Sequence, residues 1–103
     1  RESHAAWHEA GGAAANAGVQ MVEAGHAGTM TLQDLDAAIK PSGLPVFPPT
    51  TLLQLENTHN RAGGVVLPQA QVQSLCQRAR ERGLATFLDG ARLWNAAVAS
   101  GRA

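Results

Sequence analysis

The sequence predicts an α/β fold, in which a mostly parallel sheet is flanked by helices. Two short apolar runs, residues 52–55 and 84–88, have the length of buried strands. Between them, Pro68 begins a segment with apolar residues at helical spacing, and Gly83 supplies a left-handed helix stop. Strand, helix and strand in this order predict a βαβ unit, whose two strands run parallel and are joined by a right-handed crossover.

Weaker signals predict the elements of the first third of the chain. Small and apolar residues predict a helix over residues 5–16, although the glycine pair inside it lowers helix stability by roughly 1 kcal/mol per glycine relative to alanine. Residues 19–22 are a short strand candidate. Thr31 and Asp34 have the outline of a capping box, which predicts a helix over residues 31–40 that a proline ends.

Composition limits the classes of function. Of the 103 residues 45% are hydrophobic, which is enough for a core, and the formal net charge of +0 leaves no basic surface for nucleic acid or an anionic membrane. Cys76 is the single cysteine, and no apolar run approaches the length of a membrane span. We therefore expect a cytoplasmic protein without nucleic-acid or membrane partners. Because the sequence starts at Arg1 without a methionine, residues 1–103 are expected to be part of a larger domain.

The most informative stretch is the junction after the second predicted strand. Here Leu-Asp-Gly-Ala-Arg changes an apolar run into a turn that opens an alanine-rich helix. Asp89 is expected to end the strand, and Arg92 to lie in the first turn of the helix. Ligands of open α/β sheets bind at the carboxyl ends of strands, which makes this pair a functional candidate. On spacing alone, a local ion pair or a helix cap is the better explanation.

Three blocks of sequence resemble one enzyme family. They are Ser-His with Glu-Ala-Gly-Gly in residues 3–12, Leu-Glu-Asn-Thr-His-Asn in residues 55–60, and Leu-Asp-Gly-Ala-Arg-Leu in residues 88–93. In this order they resemble the low-specificity L-threonine aldolases, pyridoxal 5'-phosphate (PLP) enzymes of the aspartate aminotransferase fold. The resemblance covers essentially the whole chain and implies part of a PLP-binding large domain. It also implies a homotetrameric enzyme that cleaves L-threonine, L-allo-threonine or a related β-hydroxy amino acid to glycine and an aldehyde.

The resemblance implies roles for five side chains. Asp89 matches the carboxylate against the pyridine nitrogen of PLP, and Arg92 matches the arginine that contacts the substrate carboxylate or nearby cofactor oxygens. His4 matches the catalytic histidine that stacks on the PLP ring. His59 matches the one near the substrate hydroxyl, whose proton leaves in the reaction. His8 stands where an aromatic residue often lines the substrate side-chain pocket. We expect His59 and Asp89 to open onto a common cleft.

The resemblance also implies parts of the site that these 103 residues lack. The family binds PLP through a lysine in a downstream Ser-Lys-Gly stretch and holds its phosphate in an upstream Gly-Ser/Thr cup. The single lysine of this sequence, Lys40, closes a predicted helix, where a cation complements the helix dipole. We therefore expect the chain alone to be inactive. Glu56, Asn57 and Glu9 are expected to hold loops through hydrogen bonds to the backbone.

Other interpretations stay open. One is another β-eliminating lyase of the same fold that acts on an aromatic or sulfur amino acid. A second is a non-catalytic α/β fragment or pseudoenzyme that acts as an interaction module. A zinc site is a third, because His4 and His8 are four residues apart, but no carboxylate or cysteine completes a recognised ligand pattern. We therefore rank zinc below PLP and predict no metal.

Overall fold

A computed structural model describes residues 1–102, which form one parallel pair of strands and short flanking helices. In chain order the elements are α1 (His4–Trp7), α2 (Gly12–Ala17), α3 (Leu32–Ala38), β1 (Leu52–Glu56), α4 (Gln69–Glu81), β2 (Ala85–Asp89) and α5 (Leu93–Ala99). No helix within residues 1–102 is long and apolar enough to cross a membrane, and α4, with 13 residues, is shorter than a bilayer-spanning helix.

The predicted βαβ unit is confirmed. Strands β1 and β2 pair in parallel, with Leu52 opposite Ala85 at one end of the register and Glu56 opposite Asp89 at the other. Helix α4 connects them and follows Pro68. Proline is tolerated there because a backbone N–H at the start of a helix has no helical hydrogen-bond partner, so none is lost. Gly83, with φ of 73°, ends the helix and returns the chain to β2.

The hydrophobic core lies between the sheet and helices α3 and α4. Its buried members are Leu35, Leu53, Leu55, Leu67, Leu75, Ala79 and Leu84. The opposite face of the sheet is covered less well, and Phe87 on β2 is 56% exposed. Among the described residues β2 has only β1 as a neighbouring strand. The α/β class, with a parallel sheet and flanking helices, is therefore correct, and the core lies on the α4 side.

Two predictions for the first third of the chain are wrong. The helix predicted over residues 5–16 is broken into α1 and α2, because Ala10 and Gly11 adopt positive φ angles of 50° and 71° that an α-helix excludes. Residues 19–22 are not a strand, since within residues 1–102 their backbone has no ladder partner and β1 pairs only with β2. β-Branched residues favour an extended backbone, but a strand forms only where a neighbouring strand supplies its hydrogen-bond partners.

The predicted capping box of α3 is confirmed. Thr31 Oγ1 accepts the Asp34 N–H at 3.1 Å, and Asp34 Oδ2 accepts the Thr31 N–H at 2.8 Å. The helix ends at Ala38, two residues before the predicted end. Asp36 on the same helix forms ion pairs with Arg78 and Arg82, which fix α3 against α4.

Candidate active site

The carboxyl ends of β1 and β2 lie side by side at one edge of the sheet. Glu56 is opposite Asp89 in the register, and the Asn57 N–H donates to the Asp89 carbonyl oxygen at 3.1 Å. The segment that contains His59 therefore leaves β1 directly beside the turn that leaves β2. Parallel pairing produces this arrangement, because both strands must point the same way.

Asp89 and Arg92 occupy the strand-to-helix turn as the sequence predicts. Asp89 is half-buried and ends β2, and its Oδ1 accepts the Ala91 N–H at 3.1 Å. Its second oxygen has no hydrogen-bond partner among residues 1–102. Arg92 is the N-cap of α5, so the helix begins one residue later than predicted, and its guanidinium forms no ion pair with Asp89. Both charged groups are therefore available for a ligand.

Glu56 is the buried anion that holds this edge together. Glu56 is only 4% exposed. Its Oε2 accepts the backbone N–H of His4 at 2.6 Å, and its Oε1 accepts the backbone N–H of Asn60 at 2.9 Å. Burial alone would raise the pKa of Glu56. The two N–H donors and the nearby His59 and His4 rings outweigh burial, so this pKa lies below its ordinary value. The structural role expected for Glu56 is confirmed.

We expect Glu56→Gln to destabilise the protein at neutral pH by about 1–3 kcal/mol, because a neutral amide replaces a charged double acceptor. A carboxyl whose pKa is lowered by folding adds stability above its unfolded pKa of about 4.3, and loses it as the pH falls through the folded value. The difference between wild type and variant should therefore shrink below about pH 4. Urea unfolding of both proteins at several pH values measures this difference in the free energy of unfolding.

Glu81→Gln, on the exposed face of α4, is the control and should change the free energy of unfolding by under about 0.5 kcal/mol. An unchanged pH profile in Glu56→Gln would contradict the assignment.

Asn57 holds the next part of the loop, as expected. Its side chain is buried, accepts the Leu67 N–H at 3.1 Å and donates to the Leu67 carbonyl oxygen at 3.3 Å. This double contact joins the end of β1 to the segment that leads into α4. Glu9 differs from expectation, since it contacts a side chain, the His4 ring, and not the backbone.

His4 lies close to the shared edge because Glu56 binds its backbone N–H. Its side chain is one-third exposed, at 33%, and its Nδ1 lies 2.6 Å from Glu9 Oε1. The His8 ring stands 4.8 Å from the His4 ring, centroid to centroid, at an interplanar angle of 39°. His4 is thus held at its backbone, at one ring nitrogen and against a second ring, while part of its surface is open.

Arg61 is a side chain at this site that the sequence interpretation missed. Its guanidinium carbon lies 4.5 Å from the centroid of the Trp7 ring, a cation–π distance, and its Nη1 is 3.5 Å from His8 Nε2. Its place directly after the Leu-Glu-Asn-Thr-His-Asn block was the available signal. Within residues 1–102, no three His, Cys, Asp or Glu side chains are placed to hold a metal ion.

His59 is the most enclosed of the predicted site residues. The residue is 4% exposed, its Nδ1 accepts the Ala62 N–H at 3.3 Å, and its Nε2 lies 2.8 Å from the Arg1 carbonyl oxygen. Because a carbonyl can only accept, Nε2 must donate a hydrogen to it. Both ring nitrogens are therefore used within the chain.

A cavity of about 700 Å³ lies between β1 and the N-terminal third of the chain. Its lining includes Glu56, His59 and Phe87, but neither Asp89 nor Arg92. The common cleft predicted for His59 and Asp89 is therefore not formed by this cavity, although the two residues leave the same edge. The reason is local: the His59 ring is buried beneath Arg1, whereas the Asp89 carboxylate turns back to the Ala91 N–H.

The residues at this edge suit the part of PLP that they would meet. A protonated pyridine nitrogen is a single donor, and Asp89 presents a carboxylate with one oxygen that no described residue occupies. His4 presents a flat ring whose edge is fixed by Glu9, as a stacking residue requires. Glu56 links the two, because it lies opposite Asp89 in the strand register and its carboxylate binds the His4 backbone N–H.

Comparison with known proteins supports the resemblance that the three sequence blocks suggested. A family model described as beta-eliminating lyase matches residues 1–103. The low specificity L-threonine aldolase of Escherichia coli (strain K12) is 44% identical over 95 residues, which cover 90% of this chain and 27% of that protein. The probable low-specificity L-threonine aldolase 2 of Arabidopsis thaliana is 37% identical over 103 residues, covering 97% and 29%. The Saccharomyces cerevisiae enzyme is 35% identical over 102 residues, covering 96% and 26%. The chain thus spans little more than a quarter of the length of these relatives.

Proposed function

The chain belongs to the β-eliminating lyase family, and from this we propose that the full-length protein is a PLP-dependent aldolase. It cleaves L-threonine, L-allo-threonine or a related β-hydroxy amino acid to glycine and an aldehyde, as the names of its relatives suggest. Residues 1–103 are part of its PLP-binding domain. The observation that carries the proposal is the shared carboxyl edge of the sheet. Glu56 lies opposite Asp89 there, and its carboxylate binds the His4 backbone N–H.

In this proposal PLP supplies an electron sink for the carbanion left when the carbon–carbon bond breaks. Asp89 holds the proton of the pyridine nitrogen by its negative charge, while its other oxygen stays on the Ala91 N–H. His4 would hold the face of the cofactor ring, and Glu56 positions His4 by binding its backbone N–H. The low pKa of Glu56 keeps this anchor charged at neutral pH.

The substrate contacts follow the roles implied by the resemblance. Arg92 binds the substrate carboxylate, for which its forked guanidinium, which has no ion-pair partner among residues 1–102, is suited. His8 lines the side-chain pocket, where Arg61 adds a second polar group 3.5 Å away. The role of His59 at the substrate hydroxyl stays a prediction, and it requires that the contact between its Nε2 and Arg1 be released.

The direct test is to incubate the purified full-length protein and PLP with L-threonine or L-allo-threonine and to measure glycine and acetaldehyde. We expect both products at enzymatic rates. Release of ammonia and a keto acid from serine, cysteine or an aromatic amino acid, without glycine, would favour another β-eliminating lyase. A protein that neither binds PLP nor turns over any of these amino acids would favour the non-catalytic alternative.

The 103-residue chain alone is the control, and we expect it to release no acetaldehyde. Its single lysine lies at the wrong edge of the sheet. The Lys40 N–H donates to Thr50 Oγ1 at 3.1 Å, and Thr50 precedes β1. A five-residue strand is about 16 Å long, so the backbone of this lysine lies about that far from the edge that carries Asp89.

We further propose a cytoplasmic, tetrameric protein that has an amino-acid substrate and neither nucleic-acid nor membrane partners. The formal net charge of +0 and the free thiol of Cys76 support this proposal, and the tetramer follows from the resemblance alone. Light scattering of the full-length protein measures the assembly directly.

A further inference from the structure

The turn after α1 returns an acidic side chain to the ring of His4. Helix α1 ends at Trp7, and residues 8–11 reverse the chain before α2 begins. Within this turn the Glu9 carboxylate comes back to the preceding helix, where its Oε1 lies 2.6 Å from His4 Nδ1. This distance is typical of a charge-assisted hydrogen bond.

A continuous helix would not make this contact. Side chains meet on one helix face at spacings of three and four, whereas His4 and Glu9 are five residues apart. The contact needs α1 to end before Glu9, and the backbone at His8, with a φ of −120° and a ψ of −11°, leaves the α-helical conformation there. The positive φ angles of Ala10 and Gly11 come after Glu9 and turn the chain towards α2.

The contact also decides which nitrogen of His4 carries a proton. An ionised carboxylate can only accept a hydrogen bond, so the partner Nδ1 must hold its hydrogen and point it at Glu9. Nε2 is then the nitrogen left for other chemistry, on a side chain that is 33% exposed. His59 differs, because its ring is buried and both of its nitrogens are hydrogen-bonded within the chain.

We propose that Glu9 is a positioning residue that fixes the tautomer of His4, so that His4 Nε2, and not a nitrogen of the enclosed His59, takes the proton of the substrate β-hydroxyl group. This inference rests on the proposed aldolase function and names the atom, His4 Nε2, that accepts the proton. The O–H bond breaks and its electron pair becomes the second carbon–oxygen bond of the aldehyde. The electrons of the carbon–carbon bond stay on the glycine fragment, and the new Nε2–H gives an imidazolium whose charge faces the Glu9 carboxylate.

The test compares Glu9→Gln with wild type in the full-length protein. The amide can donate to Nδ1 as well as accept from it, so the tautomer of His4 is no longer fixed. We expect kcat for threonine cleavage to fall about 100-fold, with KM and the affinity for PLP within about twofold of wild type. In ¹⁵N-histidine-labelled protein, the His4 Nδ1 signal should change from a protonated to an averaged position, with the signal assigned by its loss in His4→Phe.

Glu2→Gln is the matched control. Glu2 lies in the same segment and pairs with Arg61 at 3.4 Å, without contacting His4, so kcat and the His4 signal should stay as in wild type. An unchanged kcat in Glu9→Gln would overturn the proposal, and so would a loss of kcat that is matched by loss of PLP binding or by unfolding. If the wild-type protein released no glycine from threonine, the aldolase proposal itself would fail. The nitrogen signal is read without turnover and would still show whether Glu9 fixes the tautomer.

Discussion

Asp89→Asn in the full-length protein is expected to lower kcat for threonine cleavage by roughly 10²–10³, the usual cost of removing one preorganised electrostatic partner. The amide can still accept the Ala91 N–H, so the turn between β2 and α5 should be kept. It has no negative charge to hold a proton on the pyridine nitrogen of PLP, and the cofactor loses its strength as an electron sink. Steady-state kinetics and a thermal unfolding curve together measure this effect.

Asp34→Asn is the matched control for that experiment. Asp34 lies in the capping box of α3, where its carboxylate bonds Thr31 and none of the candidate site residues, and an amide there keeps an oxygen to accept the Thr31 N–H. We expect kcat to be unchanged within about twofold, since Asp34 has no role in the proposed site. If Asp89→Asn retained full turnover, or lost it only because the protein unfolds, the assignment of Asp89 to the pyridine nitrogen would be wrong.

Gly28→Ala is expected to destabilise the protein by about 2–4 kcal/mol, because overpacking and backbone strain act together. Gly28 is buried and has a φ of 75°, and a Cβ placed on it would lie 2.5 Å from the Ala62 Cβ and 3.0 Å from the His59 Cγ. It is the second central residue of a tight turn, in which His26 and Thr29 exchange both backbone hydrogen bonds. Such turns require positive φ at both central positions.

Gly63→Ala separates the two causes. Gly63 has a similar φ of 83°, but a Cβ placed on it would meet nothing within 4 Å. This variant should show only the backbone strain, roughly 1–2 kcal/mol in urea unfolding. The additional loss in Gly28→Ala then measures how tightly Ala62 and His59 are packed against Gly28. Equal losses in the two variants would show that Ala62 and the His59 ring move aside without cost, contrary to the burial of His59.

Local pattern determined the second half of the fold. The apolar runs, the helical spacing that follows Pro68 and the stop at Gly83 each act within a few residues, and together they fix a parallel βαβ unit. The capping box of α3 is equally local. The turn residues that follow the second apolar run place Asp89 at the end of a strand. Its position beside Glu56 at the carboxyl edge was therefore predictable from the sequence.

Tertiary structure alone decided how the histidines are used. The Glu56 carboxylate binds the N–H of His4 across 52 residues, and the His59 ring meets the carbonyl of Arg1 across 58. No local periodicity encodes such a pairing. The helix predicted over residues 5–16 from its small and apolar residues failed at Ala10 and Gly11, whose positive φ angles end any α-helix there. The sequence thus determined that Glu56 and Asp89 lie at the carboxyl edge, because both end parallel strands. The tertiary structure decided that His4 joins them and that the His59 ring is enclosed, because both depend on hydrogen bonds between distant parts of the chain.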